Sequence, residues 1–429
     1  MIYLLFIFYC FLFCWLISRI SFFTQSGLST KILLSLFVLR IISLVISSYM
    51  NLYYFPISDS VIFHKMGIVE YHLLFQNPKE YIANIFYNNY PDGYSRLLDD
   101  SHSYWNNLRT NLLGKMLSIF DLFSFKDFFI NTLFYNFLVF FGCVALYKVF
   151  IRIFPGCFYQ LIICIFLLPS VLFFSSMIHR DGLILLSVSM IIYHVFFIIN
   201  NHQLSLKRIG IIIFFLCLIF LLRNFVFFTL VPALAAWLIA QKYPKYAFIS
   251  FLSVYTFVAI LFFTSGYISP RADLPQYVVS RQSSFTEIGK AGTSTIPIHP
   301  LSPTFKSFIT NAPQAFDHAL LRPYLTKILN FEYLPFTLEI FIIEILFIAF
   351  LFCRKKNIII DSLIYFGLFF SLTMLLITGY TVSIIGAIVR YRSIYLIFLL
   401  IPITCYTDWA RIKKLITSKK NNTAQGTKQ

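Results

Sequence analysis

The sequence predicts an all-α polytopic integral membrane protein with about eleven transmembrane helices, an outside N-terminus and an inside C-terminus. Three observations lead to this prediction. Of the 429 residues, 59% are hydrophobic and only 12% are charged, which is more apolar than a soluble domain can hide from water. The apolar residues form runs of membrane-spanning length. Short basic clusters lie in alternate gaps between these runs, as expected when they all face one side of a membrane.

The predicted helices are justified by length, because a hydrocarbon core of ~30 Å needs roughly 20 apolar residues. The runs lie at about 2–22, 32–50, 128–150, 157–178, 182–199, 209–222, 225–240, 246–264, 336–353, 357–378 and 386–406. The two runs that flank Arg223 and Asn224 could be one long broken helix. The first run has no basic segment before it and no small-residue cleavage site, so we expect a retained helix instead of a signal peptide.

The positions of Lys and Arg predict the orientation of the chain. The basic clusters are Arg19 with Lys31, Lys148 with Arg152, Lys207 with Arg208, Lys242 with Lys245, 354–356, and the tail 411–420. With these on the cytoplasmic side, the predicted membrane helices are two in 1–50, helices three to eight in 128–264, and the last three in 336–406. Between them lie a first outer loop with surface helices at 51–127 and a second outer loop at 265–335. A basic cytoplasmic tail follows at 407–429. The surplus positive charge is therefore explained by topology, and we expect no nucleic-acid partner.

The outer turns carry ionisable residues where a simple turn would not need them. His179, Arg180 and Asp181 interrupt an apolar stretch where one predicted helix ends and the next begins. A turn between two helices must be polar, and Asp181 could cap the following helix, so this segment has a purely structural explanation. The residues are nevertheless bulky and ionisable, and arginines recur at other outer turns, which favours a functional site.

Arginines are unexpectedly frequent on the predicted outer face, where short loops ordinarily avoid positive charge. They are Arg180, Arg223, Arg390 and Arg392 at helix ends, and Arg271, Arg281 and Arg322 in the second outer loop. The planar guanidinium binds phosphate through two parallel hydrogen bonds. Each arginine could alternatively extend to lipid headgroups, but the whole set predicts a site for a lipid-linked phosphate or pyrophosphate.

Among the outer carboxylates, Asp59 is placed best for catalysis because it follows directly on the outer end of the second predicted helix. Its alternative role is to cap a helix that begins at Ser60. Asp99 and Asp100 are further candidates for the catalytic carboxylate. The chain contains no glycine-rich nucleotide loop, HExxH or GxSxG motif, and its eight cysteines show no metal-ligand spacing, so no cofactor or metal site is predicted.

The chain has a helix that ends just before an Asp and then a first outer loop of about 75 residues with surface helices. The segment LPSVLFFSSMIHRDGLIL follows, and after it come many spans and a long late outer loop. These features resemble the bacterial GT-C glycosyltransferases. The resemblance implies that an acidic residue of the first outer loop is the catalytic base and that basic residues hold the phosphate of a polyprenyl-phosphate-linked sugar. The predicted site has Asp59, His179 and Asp181 as catalytic residues, and Arg180, Arg223, Arg281, Arg322, Arg390 and Arg392 as phosphate ligands. The chain departs from the family by an extra first helix and by the lack of a paired acid at the membrane edge.

A second resemblance is to the O-antigen-type polysaccharide polymerases, whose arginine-bearing outer loops hold polyprenyl-pyrophosphate-linked chains. It is carried by RADLPQYVVSRQSSFTEIGKAG, LLRPYL and GAIVRYRSIY. Such a polymerase would depend on arginines and on a histidine such as His179, whereas a GT-C enzyme needs Asp59 as base.

A third hypothesis is a transporter or flippase for lipid-linked glycans, because Arg40, Glu339, Glu344 and Asp361 lie in predicted spans. No internal repeat of the kind common in transporters is visible, so an enzyme is favoured. The expected protein is a multi-pass glycosyltransferase of a bacterial inner membrane, in cell-surface polysaccharide or glycolipid assembly. Its expected partners are a polyprenyl-phosphate-linked glycan, a glycan or lipid acceptor, and the bilayer.

Overall fold

A computed structural model describes residues 2–87, 104–201, 204–269, 272–290, 294–325, 331–356, 358, 360–415 and 417. Asp99, Asp100 and Arg271 therefore lie outside the described residues. Within these ranges the chain is helical, and pairing of the β type is limited to two isolated bridges, Thr295 with Ile384 and Arg354 with Thr407. The protein is thus an all-helical membrane protein in its coarse architecture, as predicted.

The helices of the described ranges are labelled in chain order. They are α1 (Ile2–Arg19), α2 (Ser21–Thr24), α3 (Thr30–Tyr53), α4 (Asp59–Gln76), α5 (Pro78–Ala83), α6 (Tyr104–Ser124), α7 (Phe128–Ile153), α8 (Phe158–Ile162), α9 (Pro169–Ser176), α10 (Arg180–Asn201), α11 (Leu206–Leu222), α12 (Asn224–Lys242), α13 (Ala247–Ile268), α14 (Leu274–Lys290), α15 (Phe305–Phe316), α16 (Leu334–Phe352), α17 (Ser362–Thr381) and α18 (Ile385–Tyr406).

Nine helices in the described part of the chain are long and apolar enough to cross a membrane, or ten if the bent pair Phe158–Leu167 and Pro169–Ser176 is one span. The sequence predicts about eleven. If the bent pair is counted as one span, the remaining difference is α11, which has 17 residues and ends at Leu222. The polytopic class is confirmed.

The apolar part of the chain contains two breaks in helical structure. The predicted span at 157–178 bends by 45° between Phe158–Leu167 and Pro169–Ser176. Pro169 has no N–H for the helical ladder and its ring clashes with the preceding turn, and the residues before it, Ile163–Leu167, form a π-helix. Arg223 adopts an extended backbone conformation between α11 and α12. The predicted interruption at Arg223 is therefore confirmed.

The chain divides into two compact units. Unit 1 comprises Met1–Arg152, Ile165–Leu230 and Phe262–Ser280. Its centre is formed by α7 and α10, most of whose residues are buried. Gly142 permits this packing, because an added Cβ would come within 2.7 Å of the Leu186 Cα atom. The helices thus approach closely where a larger residue would hold them apart.

The helices of the predicted first outer loop also belong to unit 1. Helix α4 packs along α6, and Gly67 lies so close to Leu117 that a Cβ would be 2.6 Å from the Leu117 Cβ. A Lys115–Glu70 ion pair of 2.8 Å joins the two helices. A helix was predicted within 51–127 and α6 lies there, while its location at the membrane surface stays a prediction.

Unit 2 comprises Ile153–Cys164, Val231–Leu261 and Arg281–Gln429. Helices α17 and α18 form its buried centre and pack on each other. Gln282 fastens the second predicted outer loop to the end of α17, because its side chain donates to the Tyr380 carbonyl at 2.8 Å and accepts from the Leu301 amide at 2.9 Å. At the opposite end of α17, Gln241 donates to the Ser362 hydroxyl at 2.6 Å.

Candidate active site

Three segments of unit 1 bring four ionisable side chains into one continuous chain of contacts. Asp59 is the first residue of α4, His179 precedes α10, Asp181 lies in its first turn, and Arg223 lies at the break between α11 and α12. His179 Nε2 is 3.1 Å from Asp59 Oδ2, and His179 Nδ1 is 2.8 Å from Asp181 Oδ2. We call these four residues the relay. The sequence predicted each of them as a site residue, and the structure brings all four together.

Arg223 occupies the inner end of the relay. Its Nη1 is 2.8 Å from Asp181 Oδ1 and its Nη2 donates to Asp181 Oδ2 at 2.9 Å. Both terminal nitrogens therefore lie close to one carboxylate, and the hydrogen bond from Nη2 is charge-assisted. Asp181 is 1% exposed, so the guanidinium compensates a negative charge that water cannot reach. Arg223 was predicted as a phosphate ligand, and here it contacts a carboxylate of the protein.

The outer end of the relay is accessible to solvent. The Asp59 side chain is 50% exposed, whereas that of His179 is 4% exposed. A neutral imidazole carries one N–H and one acceptor nitrogen, so its single proton can face either carboxylate. The His179 ring therefore lies between the two carboxylates, with one nitrogen close to each. This is the geometry required of a general base with a supporting partner.

Phe63 and Arg180 complete the immediate surroundings of His179. The Phe63 ring, one turn beyond Asp59 on α4, meets the His179 ring edge to face at 6.2 Å. The Arg180 guanidinium lies 5.0 Å from the centre of the same Phe63 ring. Arg180 is partly exposed. The Arg180 guanidinium is thus held on the Phe63 ring, which also contacts His179 of the relay.

Tyr135 of α7 fixes the backbone of the turn that carries His179. Its hydroxyl donates to the His179 carbonyl oxygen and accepts from the Leu183 amide at 3.1 Å. Gly182 is required here, because any Cβ would overlap the Tyr135 hydroxyl. Tyr135 was not predicted as a site residue from the sequence. A signal was present, since Asn131, Tyr135 and Asn136 are polar residues grouped within one apolar run.

Arg40 supports the same region from inside the bundle. It is 1% exposed, and it donates from Nε to Asn136 Oδ1 at 2.7 Å, from Nη1 to Ser175 Oγ at 3.1 Å, and from Nη2 to the Ser175 carbonyl at 3.0 Å. Arg40 thereby joins α3, which leads to Asp59, to α9, which leads to His179. A transport role for Arg40 was one alternative from the sequence, and these contacts give it a structural role.

A second group of predicted site residues lies in unit 2 and combines cations with aromatic rings. The Arg281 guanidinium is 5.0 Å from the Phe285 ring, and Arg390 is 5.1 Å from the Tyr391 ring. The two rings meet edge to face at 6.3 Å. Burial lowers the pKa of the Arg281 guanidinium. We call these four residues the arginine–aromatic cluster.

The other two predicted arginines of unit 2 are engaged with the chain itself. Arg392 is fully buried, and its Nη1 donates to the carbonyl oxygens of Ala319 and Arg322. Arg322 donates from Nε to Asp317 at 3.4 Å. Arg392 thus holds the turn that presents Arg322, and it does not face solvent.

A cavity of about 370 Å³ opens in unit 2 between the end of α14 and the start of α18. It is lined by Thr286, Gly289, Lys290, Thr295, Ile296, Pro297, Ile298 and Ser383. Its three hydroxyl groups donate to backbone carbonyls of Gln282, Gly289 and Phe285. The remaining lone pairs of these oxygens make the cavity an acceptor of hydrogen bonds, which suits a ligand rich in hydroxyl groups.

Comparisons of the chain with protein-family models, with curated proteins and with solved structures found no match.

Proposed function

We propose that this protein is a membrane glycosyltransferase that uses a polyprenyl-phosphate-linked sugar as donor at the outer face of a bacterial inner membrane. The observation that carries the proposal is the relay, which ends on a half-exposed carboxylate directly after a membrane-spanning helix. A donor with its own leaving group needs no nucleotide at the site, and the acceptor needs a base at the membrane surface. Asp59 has the position and the exposure for that task.

In the proposed reaction the Asp59 carboxylate takes the proton of an acceptor hydroxyl. The acceptor oxygen forms a bond to the anomeric carbon of the donor sugar, and the bond from that carbon to the phosphate oxygen breaks. The electron pair leaves with the polyprenyl phosphate, whose charge Arg180 attracts. His179 orients Asp59 through the 3.1 Å contact, and Asp181 and Arg223 hold His179 from behind.

The proposal includes a topology of eleven spans, with α11 as a short span, an outside N-terminus and an inside C-terminus. It is supported by the alternation of basic clusters along the chain. A reporter fused after Lys420 is expected in the cytoplasm, and a reporter inserted near Gly292 is expected outside. Detection of both reporters on one side would refute this topology and the outer location of the site.

The lipids that accumulate in cells lacking the gene test the proposed reaction. A glycosyltransferase of this type leaves its donor unused, so mass spectrometry of lipid extracts is expected to show a polyprenyl phosphate carrying a sugar. Restoration of the wild-type gene should remove the excess. An unchanged pool of polyprenyl-linked sugars, in cells that otherwise make the glycan normally, would refute the proposal.

A second candidate function is polymerisation of polyprenyl-pyrophosphate-linked glycan units. It is favoured by the arginine–aromatic cluster and by the hydroxyl-lined cavity in unit 2. The two functions make different predictions for matched variants. Under the transferase proposal, Arg180→Ala raises the donor concentration needed for half-maximal rate by about ten- to a hundredfold, with Arg180→Lys between. In a polymerase Arg390→Ala would have the larger effect, and loss of the polymerase would leave intact pyrophosphate-linked units.

A further inference from the structure

Two segments that are remote in the chain are joined at one end of unit 2. Residues 353–356 follow α16, and residues 405–408 comprise the last two residues of α18 and the two that follow it. Arg354 and Thr407 form an antiparallel bridge. The Lys355 amide donates to the Tyr406 carbonyl at 2.9 Å, and the Asp408 amide donates to the Cys353 carbonyl at 2.7 Å. The two basic stretches that follow these spans are therefore held side by side.

This junction brings the exposed positive charges of the two segments into one region of unit 2. Residues 409–415 are helical, and we call the exposed side chains Arg354, Lys356, Arg411, Lys413 and Lys414 the basic face. In the part of the chain that the structure describes, no ion pair joins any of these five to an acidic side chain. The neighbouring carboxylates serve as helix caps, because Asp408 accepts from the Arg411 amide at 3.0 Å and Asp361 accepts from the Leu363 amide at 2.8 Å.

The position of the basic face along the chain favours contact with lipid headgroups. It begins immediately beyond α18, which is long and apolar enough to cross a membrane. Trp409 is 39% exposed and donates from its indole nitrogen to the Thr404 carbonyl at 2.9 Å, and Leu415 is 58% exposed. Tryptophan and an exposed leucine among lysines and arginines are typical of a segment that lies in the membrane interface.

We propose that the basic face binds the headgroups of anionic phospholipids in the adjacent leaflet. The reasons are charge complementarity, the position immediately beyond α18, and a backbone junction that keeps cations from two segments together. A single basic loop would attract anionic lipid weakly, and clusters of four or more Lys and Arg next to a span bind it markedly better. Arg354 and Arg411 can also contact a phosphate through two parallel hydrogen bonds. The inference is independent of the proposed transferase reaction.

Quenching of Trp409 fluorescence by brominated lipids measures this binding directly. The full chain is reconstituted in nanodiscs with brominated phosphatidylglycerol or brominated phosphatidylcholine, and the signal of a Trp409→Phe protein is subtracted to isolate Trp409. The anionic lipid is expected to reach half-maximal quenching at a mole fraction about tenfold lower than the zwitterionic lipid. Raising the salt to molar concentration should remove most of the difference, because screening then acts within about 3 Å.

A charge-neutralised variant and a matched control separate specific binding from the general attraction of a basic protein. R354Q/K356Q/K413Q/K414Q is expected to be quenched equally by both lipids. The control is K290Q/K306Q, which neutralises two exposed lysines at the other end of unit 2 and should retain the preference. Equal quenching of wild-type Trp409 by the two lipids would overturn the proposal. So would a preference that survives in the four-site variant or in high salt.

Discussion

At the scale of single residues, Arg223 and Asp181 are the pair on which the candidate site depends. Both are buried, and two contacts of 2.8 and 2.9 Å join them. A buried pair contributes little net stability over an apolar pair of the same shape, but removal of one partner strands the other charge. The arginine is therefore best understood as the support of Asp181 and, through it, of His179.

Arg223→Met is expected to lower the free energy of unfolding by about 3–5 kcal/mol, because it removes the guanidinium that compensates the buried Asp181 carboxylate. The double variant Arg223→Met/Asp181→Asn should recover part of the loss, since it removes the stranded charge. Thermal unfolding in detergent measures both effects. If Arg223 instead binds donor phosphate, Arg223→Met will keep the wild-type melting temperature and weaken donor binding, which would contradict the relay.

At the scale of secondary-structure elements, Arg40 is the residue that connects the two segments of the site. It ties the helix before Asp59 to the short helix before His179. Arg40 also binds Asn136 of α7, and the residue before Asn136 is Tyr135, which holds the turn at His179. Ser43 adds a hydrogen bond to the Leu172 carbonyl at 3.1 Å. The arrangement of α3, α7 and α9 therefore sets the distance between Asp59 and His179.

Arg40→Met is expected to lower both the melting temperature and the turnover, because Asn136 and Ser175 lose their buried partner. The donor concentration for half-maximal rate should stay near the wild-type value, since Arg40 does not face the solvent. Arg40→Lys should fall between, because one ammonium group cannot reproduce the planar fork. Arg19→Met, at an exposed arginine of α1, is the control. Wild-type stability in Arg40→Met would argue for the transport role instead.

Helix α4 also carries a buried histidine that affects stability at low pH. His64 is 7% exposed and its Nδ1 lies 3.3 Å from Asn131 Nδ2. Burial lowers the pKa of His64 to about 4. Burial raises the pKa of the neighbouring Asp121 carboxyl, whose Oδ1 accepts from Asn131 at 2.6 Å. The two groups therefore respond to acid in opposite directions.

Because the unfolded histidine has a pKa near 6.5, it binds a proton between pH 6.5 and 4 while the folded one does not. Stability due to His64 is thus present above that window and is lost as the pH falls through it, by about 3 kcal/mol in total. Denaturant unfolding of wild type and His64→Gln at pH 7 and pH 4.5 measures the effect. The wild type should lose more stability than the variant, and an equal loss would contradict a neutral buried His64. Asp121 is present in both proteins, so its contribution to the pH dependence cancels when the two are compared.

At the scale of the whole molecule, composition and apolar runs sufficed to predict an all-helical membrane protein. The predicted break at Arg223 and the helix boundary at His179 were also correct, because a charge in an apolar run must lie where a helix ends or where it is paired. The bend before Pro169 was missed, although proline signalled it. The predicted intramembrane Asp361 is instead the residue that caps α17.

The members of the candidate site could be proposed from the sequence, but their contacts with one another could not. Asp59, His179, Asp181 and Arg223 were selected from their positions at the predicted outer ends of helices. Their pairing depends on packing between α3, α7, α9 and α11, which helical periodicity does not determine. The same limit applies to Arg392, which was predicted as a phosphate ligand and is buried against carbonyl groups.

Glycan production by an Asp59→Asn variant is the sharpest test of Asp59 as the general base. The variant keeps the shape of the side chain and should express and melt like the wild type, while its turnover falls by about 10²–10⁴. Asp127→Asn is the matched control, because asparagine can keep the helix cap that Asp127 provides to Ile130, and it should make glycan normally. Wild-type glycan production by a well-expressed Asp59→Asn protein would contradict the account.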